Sequence, residues 1–421
     1  MRRRTRTGPI IGAVAAAVLV LVIAGVLVLT QTDWGRGRVR GVALEQLRNR
    51  VAGQVEIARV EGNLLQGARL IDVAIADSAG QPFLRADTLS FRYTLRSYFT
   101  RQLVFRDVVL VNPYVRLDDP PGADWNFKRL FPTDTTMVDT VAGFGSWLRL
   151  EDVTVRNGTF LVRSEWAPPD SLRGDARDAA VAAALSPRSR LRIEPVPGGY
   201  QSVMEFERVN AELPLLRLAD PDSADRIIRF GRLAMAARPF RPPPVPVHDL
   251  AGTVILTDER ALFRDLRLTL PGTRARLDGW YALGGTGAYE LRVNAPEIAL
   301  ADLRFAEPEL PEGSGQVTGT VSSGGTATRL VAQRLELSAE GARVDGSADV
   351  LFGDTVRFGP TDVAFSGLDT ELARRFTDVL PAALHGQANG RLRLQGTTDE
   401  LDVDGWAAFR ERGGATSRVA A

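Results

Sequence analysis

The sequence predicts a mainly β protein behind an amino-terminal membrane anchor, and three observations carry that prediction. Composition comes first: 40 glycines and 24 prolines in 421 residues, with 44% hydrophobic and 24% charged side chains, describe a folded chain with many turns and few, short helices. Beyond residue 52, apolar and polar residues alternate with period two, the mark of strands with one dry face. Finally, the second half of the chain repeats itself. A chain of this length exceeds one ordinary core, so several domains or an elongated repeat are expected.

The anchor is the first element. Arg2, Arg3, Arg4 and Arg6 precede an uninterrupted apolar run from Ile10 to Leu29. At about 1.5 Å per residue, a helix over that run spans roughly 30 Å, the thickness of a bilayer's hydrocarbon core. A cleavable signal peptide would carry an apolar region of only about 7 to 15 residues and a small-x-small site after it. This run continues instead into TQTDWGRGRVR, so an uncleaved transmembrane helix within residues 1–30 is expected. Arg36, Arg38 and Arg40 nearly balance the preceding arginines, and charge does not orient the anchor. Over residues 31–52, Val39, Val42, Ala43, Leu47 and Val51 recur at helical spacing. Either an amphipathic helix at the membrane surface or a helix capping the first sheet fits them.

A first β region is expected over 53–236. It opens with EGNLLQGARLIDVAIADSAGQPFLRADTLSFRYTL, three short apolar runs punctuated by Gly62, Gly67 and Gly80. Alternation is clearest in Leu266, Leu268, Leu270 and in Ala275, Leu277, Gly279, Tyr281, Leu283, on either side of a Pro271-Gly272 turn. It returns at Tyr289, Leu291 and Val293, at Leu335 and Leu337, and at Val356 and Phe358, with Arg, Asp, Glu and Thr between. Antiparallel sheets with one dry side give this pattern. The phase slips between Leu148, Leu150 and Val153, Val155, which predicts a bulge near Glu151-Asp152. Three segments interrupt the strands: a Pro- and Thr-rich connection over 118–140, a loop over 166–190 whose DARDAAVAAAL predicts a short helix, and ARPFRPPPVPV over 237–247. Prolines supply no ladder donor, so the last segment reads as a linker dividing the chain in two.

Within 248–421, GQVTGTVSSGGTATRL aligns with GQANGRLRLQGTTDEL at a constant offset of 71, and Phe305 and Phe376 keep that offset upstream. Repeat units near 296–366 and 367–421 follow, stacked in one dimension. The second ends at GWAAFRERGGATSRVAA before its full length, and a capping unit normally closes such an array. A fragment of a longer chain is the expectation.

Chemistry finds little support. Lys and Arg number 52 against 51 Asp and Glu, with Lys128 the only lysine, so no net field favours nucleic acid. Without cysteine there is no disulfide framework, thiolate metal site or cysteine nucleophile. His248 and His385 are far apart in sequence, and no nucleophile elbow, zinc-protease helix or phosphate-binding loop occurs. The glycine clusters at 284–287 and 322–326 sit between strands, where they serve turns. Carboxylates alternate with apolar residues, as on a solvated sheet face. No catalytic residue, cofactor or metal ligand is assigned, and no enzyme is expected. A sheet this long closes into a barrel, packs on a second sheet or curls around something apolar. For a membrane-tethered groove the natural guest is an acyl chain, and its apolar lining is assigned to Leu266, Leu268, Leu270, Leu335, Leu337, Val356 and Phe358.

Residues 33–117 resemble the amino-terminal module of the bacterial TamB and AsmA-like envelope proteins. The resemblance lies in Trp34-Gly35-Arg36, in the glycine-punctuated run from Gly53 to Pro82, and in the strand Val109 to Leu117 around Pro113. PGTRARLDGWYAL and the later glycine repeats are similar to AsmA-type repeats. The resemblance implies a single anchor in the bacterial inner membrane with a cytoplasmic amino terminus, and a periplasmic body of β repeats folded over into a taco-like groove. It further implies a part in phospholipid transport towards the outer membrane, or in assembling outer-membrane proteins by β-augmentation. Members of the TamB type continue to a carboxy-terminal domain that docks on an outer-membrane β-barrel. No matching region occurs here, so contact with a barrel partner would need a region missing from this sequence.

Overall fold

The computed structural model describes residues 52–62, 67–93, 103–130, 148–168, 172–187, 189–217, 225–257, 259–282, 288–305, 307–324, 327–353, 355–375, 384–411, 414 and 416–420. The expected anchor, the helix over 31–52 apart from its last residue, the glycines at 284–287 and Phe376 lie outside these residues. Among the described residues, no helix is long and apolar enough to cross a membrane.

The alternation produces one hydrogen-bonded sheet of 22 strands. Strands β1 (Gly53–Glu61), β2 (Gly67–Asp77) and β3 (Pro82–Tyr93) form an antiparallel meander from the three opening runs. Next come β4 (Leu103–Val111) and β5 (Tyr114–Asp118), which pair with β3 on one side and with β6 (Leu148–Trp166) on the other. β6 lies antiparallel to β8 (Gly199–Arg217), and β7 (Ile193–Val196) pairs with the start of β8. β9 (Arg226–Phe230) and β10 (Arg232–Arg238) share the far edge of β8, β11 (Val245–Val247) joins β10, and β12 (Asp249–Leu256) joins β9. An antiparallel meander completes the sheet: β13 (Arg260–Thr269), β14 (Arg274–Ala282), β15 (Tyr289–Ala299), β16 (Gly313–Ser323), β17 (Thr328–Ala339), β18 (Ala342–Phe352), β19 (Val356–Asp369), β20 (Gly386–Thr397), β21 (Leu401–Glu411) and β22 (Thr416–Ala420).

Two expectations change. Residues 237–247 do not separate two sheets: Val245 and Val247 are buried in β11, and β12 continues the same sheet through β9. Apolar burial of the two valines outweighs the donors lost at the prolines, because among the described residues β11 has a ladder partner on one side only. The sheet is also not wholly antiparallel, since β4 and β5 run parallel to β6.

The parallel pairing has a physical basis in a second internal likeness. Arg106-Asp107-Val108 lies beside Glu151-Asp152-Val153, and Asn112 and Asn157 stand at the same offset. All four Asx residues adopt positive φ: 49° at Asp107, 54° at Asp152, 48° at Asn112 and 52° at Asn157. A left-handed residue changes which face the following side chains take, and Asx tolerates that conformation better than most. The phase slip at Glu151-Asp152 is thus realised by the backbone of Asp152, while the register against β8 shifts later, around Gly158. The Asn157 side chain donates to Asn112 Oδ1 at 2.8 Å and that of Asn112 to Asp87 Oδ2 at 2.6 Å, tying β3, β4 and β6 in register.

The repeat at offset 71 appears as matching elements. β15 to β18 correspond to β19 to β22, with Gly315 and Gly319 in β16 matching Gly386 and Gly390 in β20. After β15 comes a 3-10 turn, Leu300–Leu303, and after β19 a short helix, Thr370–Arg374. Two further helices, α1 (Asn126–Leu130) and α2 (Asp175–Leu185), follow β5 and β6, the second where the alanine-rich run predicts it. The helix after β19 is therefore α3.

Candidate functional site

Residues directly opposite in a ladder present their side chains to the same face. Following that rule across the sheet traces one row. It begins Tyr93, Phe105, Leu150, Leu216, Ile228, Val254, Phe263, each paired with the next. It continues Gly279, Leu291, Val321, Leu330, Val350, Phe358, Gly396, Leu401. Tyr93 is the only member with a polar atom in its side chain, and fourteen steps of about 4.8 Å make the row roughly 65 Å long. None of these residues is buried, and Leu401 is the most open, 37% exposed. The inner face of two packed sheets would be buried, and an ordinary outer face would be polar. This row is neither.

Burial is graded along the strands of this face. Leu277, Val293, Gly319, Ala332 and Ala348 form the adjacent row beside Leu266, within which Leu266 and Ala332 are buried. Further along, Ala295 and Ile298 are buried against Leu300, Leu303, Leu310 and Leu337. In the other direction, Tyr281 and Phe352 are 44% and 48% exposed. At the amino-terminal part of the row, Phe91, Tyr93 and Phe105 cluster, with Phe91 and Phe105 edge to face at 4.8 Å. Partial burial raises the Tyr93 hydroxyl pKa above its ordinary value.

On the opposite face, charge pairs bridge strands of the carboxy-terminal part, while Ile227, Ile255, Leu262 and Trp280 line up on it elsewhere. Arg329 donates to both carboxylate oxygens of Asp349 at 2.8 and 2.6 Å, and Arg391 does the same to Asp362 at 2.7 and 2.8 Å. Hydrogen bonds from Arg329 hold the Asp349 carboxyl below the usual carboxylate range, with burial opposing, and those from Arg391 do the same at Asp362. These groups satisfy one another, and the two arginines face solvent.

Six of the seven sequence-assigned residues share the apolar face through the pairings Leu266 with Leu277, Leu268 with Ala275, Val317 with Leu335, Gly315 with Leu337, Phe352 with Val356 and Val350 with Phe358. Their surroundings differ. Leu270, beyond the end of β13, is buried with Ala237, Val245 and Val247, and Leu268 packs on that cluster. Leu337 packs on Ile298 and Leu300, and Leu266 is buried. Only Phe358 belongs to the half-exposed row itself. Sequence reasoning missed its amino-terminal members, Tyr93, Phe105, Leu150, Leu216 and Ile228, because the parallel pairing of β4 with β6 brings them into line. The repeated Asp-Val at 107–108 and 152–153 was the available signal.

No family model, curated protein or solved structure matches this chain. Its own geometry therefore carries the functional argument. His248 is exposed, with its backbone N–H bonded to Thr269, while His385 Nδ1 lies 3.7 Å from Glu371 at a separate exposed site. Among the described residues, no group of three His, Cys, Asp or Glu is placed to hold a metal ion.

Proposed function

We propose that this protein shelters phospholipid acyl chains on its apolar sheet face while tethered to the bacterial inner membrane, and so contributes to phospholipid transport towards the outer membrane. The half-exposed apolar row from Tyr93 to Leu401 carries the reading. An acyl chain laid on such a surface gains about 0.8 kcal/mol per methylene removed from water, without any cofactor. The apolar run from Ile10 to Leu29 supplies the tether, and the periplasmic placement of the body rests on the likeness of residues 33–117 to envelope proteins. The test is native mass spectrometry and lipid extraction of the full chain purified in mild detergent. Copurifying phospholipid is expected, and its absence together with absent transfer between vesicles would remove the reading.

A second reading has one observation in its favour. Among the described residues β22 pairs with β21 alone, and Thr416, Ser417, Arg418 and Ala420 on it are exposed. An open strand edge can add a strand from an outer-membrane barrel protein, as an assembly factor would. That reading predicts crosslinks from β22 to a barrel and indifference to charge on the apolar face.

A further inference from the structure

We infer that the sheet is articulated: its two halves are joined by one hairpin, of which one end acts as a hinge and the other is a latch held by Arg190.

Among the described residues, every ladder between the amino-terminal strands and β12 to β22 runs through the hairpin of residues 226–238 and 245–256. Phe230 faces Gly252 and Met235 faces Val247, so a single register spans the hairpin and sets 231–234 opposite 251–248. No ladder pair forms over those positions, although 232–234 stay paired to β8 and 249–251 to β13. The strands diverge here. Gly252 has φ 137° and Asp265, in the strand facing it, 49°, which turns β12 and β13 out of line with β10. The Gly231 N–H meanwhile donates to the Glu212 carbonyl at 2.9 Å and keeps its own chain on β8. What results is a seam inside the sheet, closed by Leu250 packing on the cluster around Leu233.

The two ends of the seam differ in strength. On one side β9 and β12 make five register pairs, Ile227 with Ile255 and Ile228 with Val254 among them. On the other, β10 and β11 make three, one of them at Pro246, which brings no N–H. Side chains reinforce that weaker end. Arg190, just ahead of β7, donates to the carbonyl oxygens of Pro242, at 3.4 Å, and of Phe305. Its own carbonyl accepts from the Arg241 N–H at 2.8 Å, and Phe240 stacks on Phe305 with ring centroids 6.1 Å apart. Phe305 follows β15, so Arg190 reaches from one half of the sheet to the other. The closed latch leaves polar atoms unsatisfied: Arg190 Nε and, in the seam, Asp249 Oδ1 are buried with no hydrogen-bond partner among the described residues. Opening gives both to water, which offsets part of the bonding released. Because the step from Ile228 to Val254 crosses the hinge, opening changes the angle between the two halves of the apolar row, whatever occupies it.

The test uses the full chain in mild detergent with nitroxide labels introduced through Arg156→Cys and Arg334→Cys, in a sequence that has no cysteine of its own. Both positions are exposed, one in each half, and eight strand spacings separate them, roughly 40 Å along the sheet. Pulsed electron paramagnetic resonance is expected to show a main distance and a minor one. The minor population should grow about tenfold in Arg190→Ala and less in Arg190→Lys, which still donates to one carbonyl. Hydrogen exchange should quicken with it over 235–251 and stay unchanged over 53–93 and 328–352. A single distance that Arg190→Ala leaves in place overturns the inference. So does a shift accompanied by faster exchange throughout the sheet, which would make Arg190 a support of the whole fold and not a latch.

Discussion

The sharpest prediction concerns Leu330, in the middle of the apolar row and paired with Val321 and Val350. Crossing one strand spacing of about 4.8 Å, an acyl chain lays down roughly four methylenes, worth about 3 kcal/mol fully covered and about 1.5 kcal/mol if half covered. Leu330→Asp removes that contribution and places a carboxylate in the path, so transfer should fall about tenfold or more. Because Leu330 is only partly buried, the same change should cost the fold no more than about 1 to 1.5 kcal/mol. Ser338→Asp, on the exposed opposite face of the same strand, is the control. The assay follows fluorescent phosphatidylethanolamine from donor to acceptor vesicles with the full chain in the donor membrane, alongside thermal unfolding by circular dichroism. Wild-type transfer by Leu330→Asp, or equal loss in Ser338→Asp, would refute the reasoning. Leu268 and Leu337 are poorer choices, since both pack on buried clusters and their replacement confounds transfer with folding.

Three further outcomes test the fold and its electrostatics. Leu130→Ala empties a fully buried position and should cost about 2–5 kcal/mol, with faster amide exchange at Ala52, just before β1, whose N–H donates to the Leu130 carbonyl at 2.8 Å. Gly346 has φ 146°, and a Cβ there would run into the Asp362 carbonyl oxygen, so Gly346→Ala should cost about 1–3 kcal/mol in denaturant titration. For Asp349 the folded pKa is depressed by Arg329. Its contribution is therefore present above the unfolded carboxylate pKa of about 3.9 and is lost as pH falls through the folded value. Asp349→Asn should lower the melting temperature at neutral pH and flatten its decline in acid; an unchanged pH profile would show that the pair contributes nothing.

Much of the carboxy-terminal half was legible because its strands are simple hairpins. Leu266 to Leu270, the Pro271-Gly272 turn closed by the Leu270 N–H to Thr273 carbonyl bond at 2.9 Å, and the offset of 71 all follow from local pattern. The amino-terminal half was harder, because residues distant in sequence decide its register. Leu103 meets Leu148 in parallel across an intervening stretch of chain, and nothing local to either strand specifies that partner. The left-handed residues add to the difficulty. Asp72, Asp107, Asp152, Arg208 and Asp265 all have φ between 49° and 54°, and each is followed by a buried Val or Leu. They reset the alternation without a proline or glycine to mark the place. The burial of three helical leucines was illegible for a related reason: Leu130, Leu300 and Leu372 look like ordinary helix leucines until the strands before them are seen to run the same way.

A strip roughly 65 Å long and two residue rows wide, about 13 Å, covers on the order of 850 Å², of which at most about a third stays open, roughly 300 Å², within the range of the largest apolar patch on single soluble chains. Scattered apolar residues would need no explanation, but these form one line held in register across fifteen strands. The other face shows that the same strands accommodate charge without difficulty, pairing Arg329 with Asp349 and Arg391 with Asp362. A polar substitution at a partly buried row position is expected to cost the fold about 1 to 1.5 kcal/mol, less than a core substitution would. On the proposed reading the occupant is apolar and spans strands rather than filling a pocket, and an acyl chain has that shape.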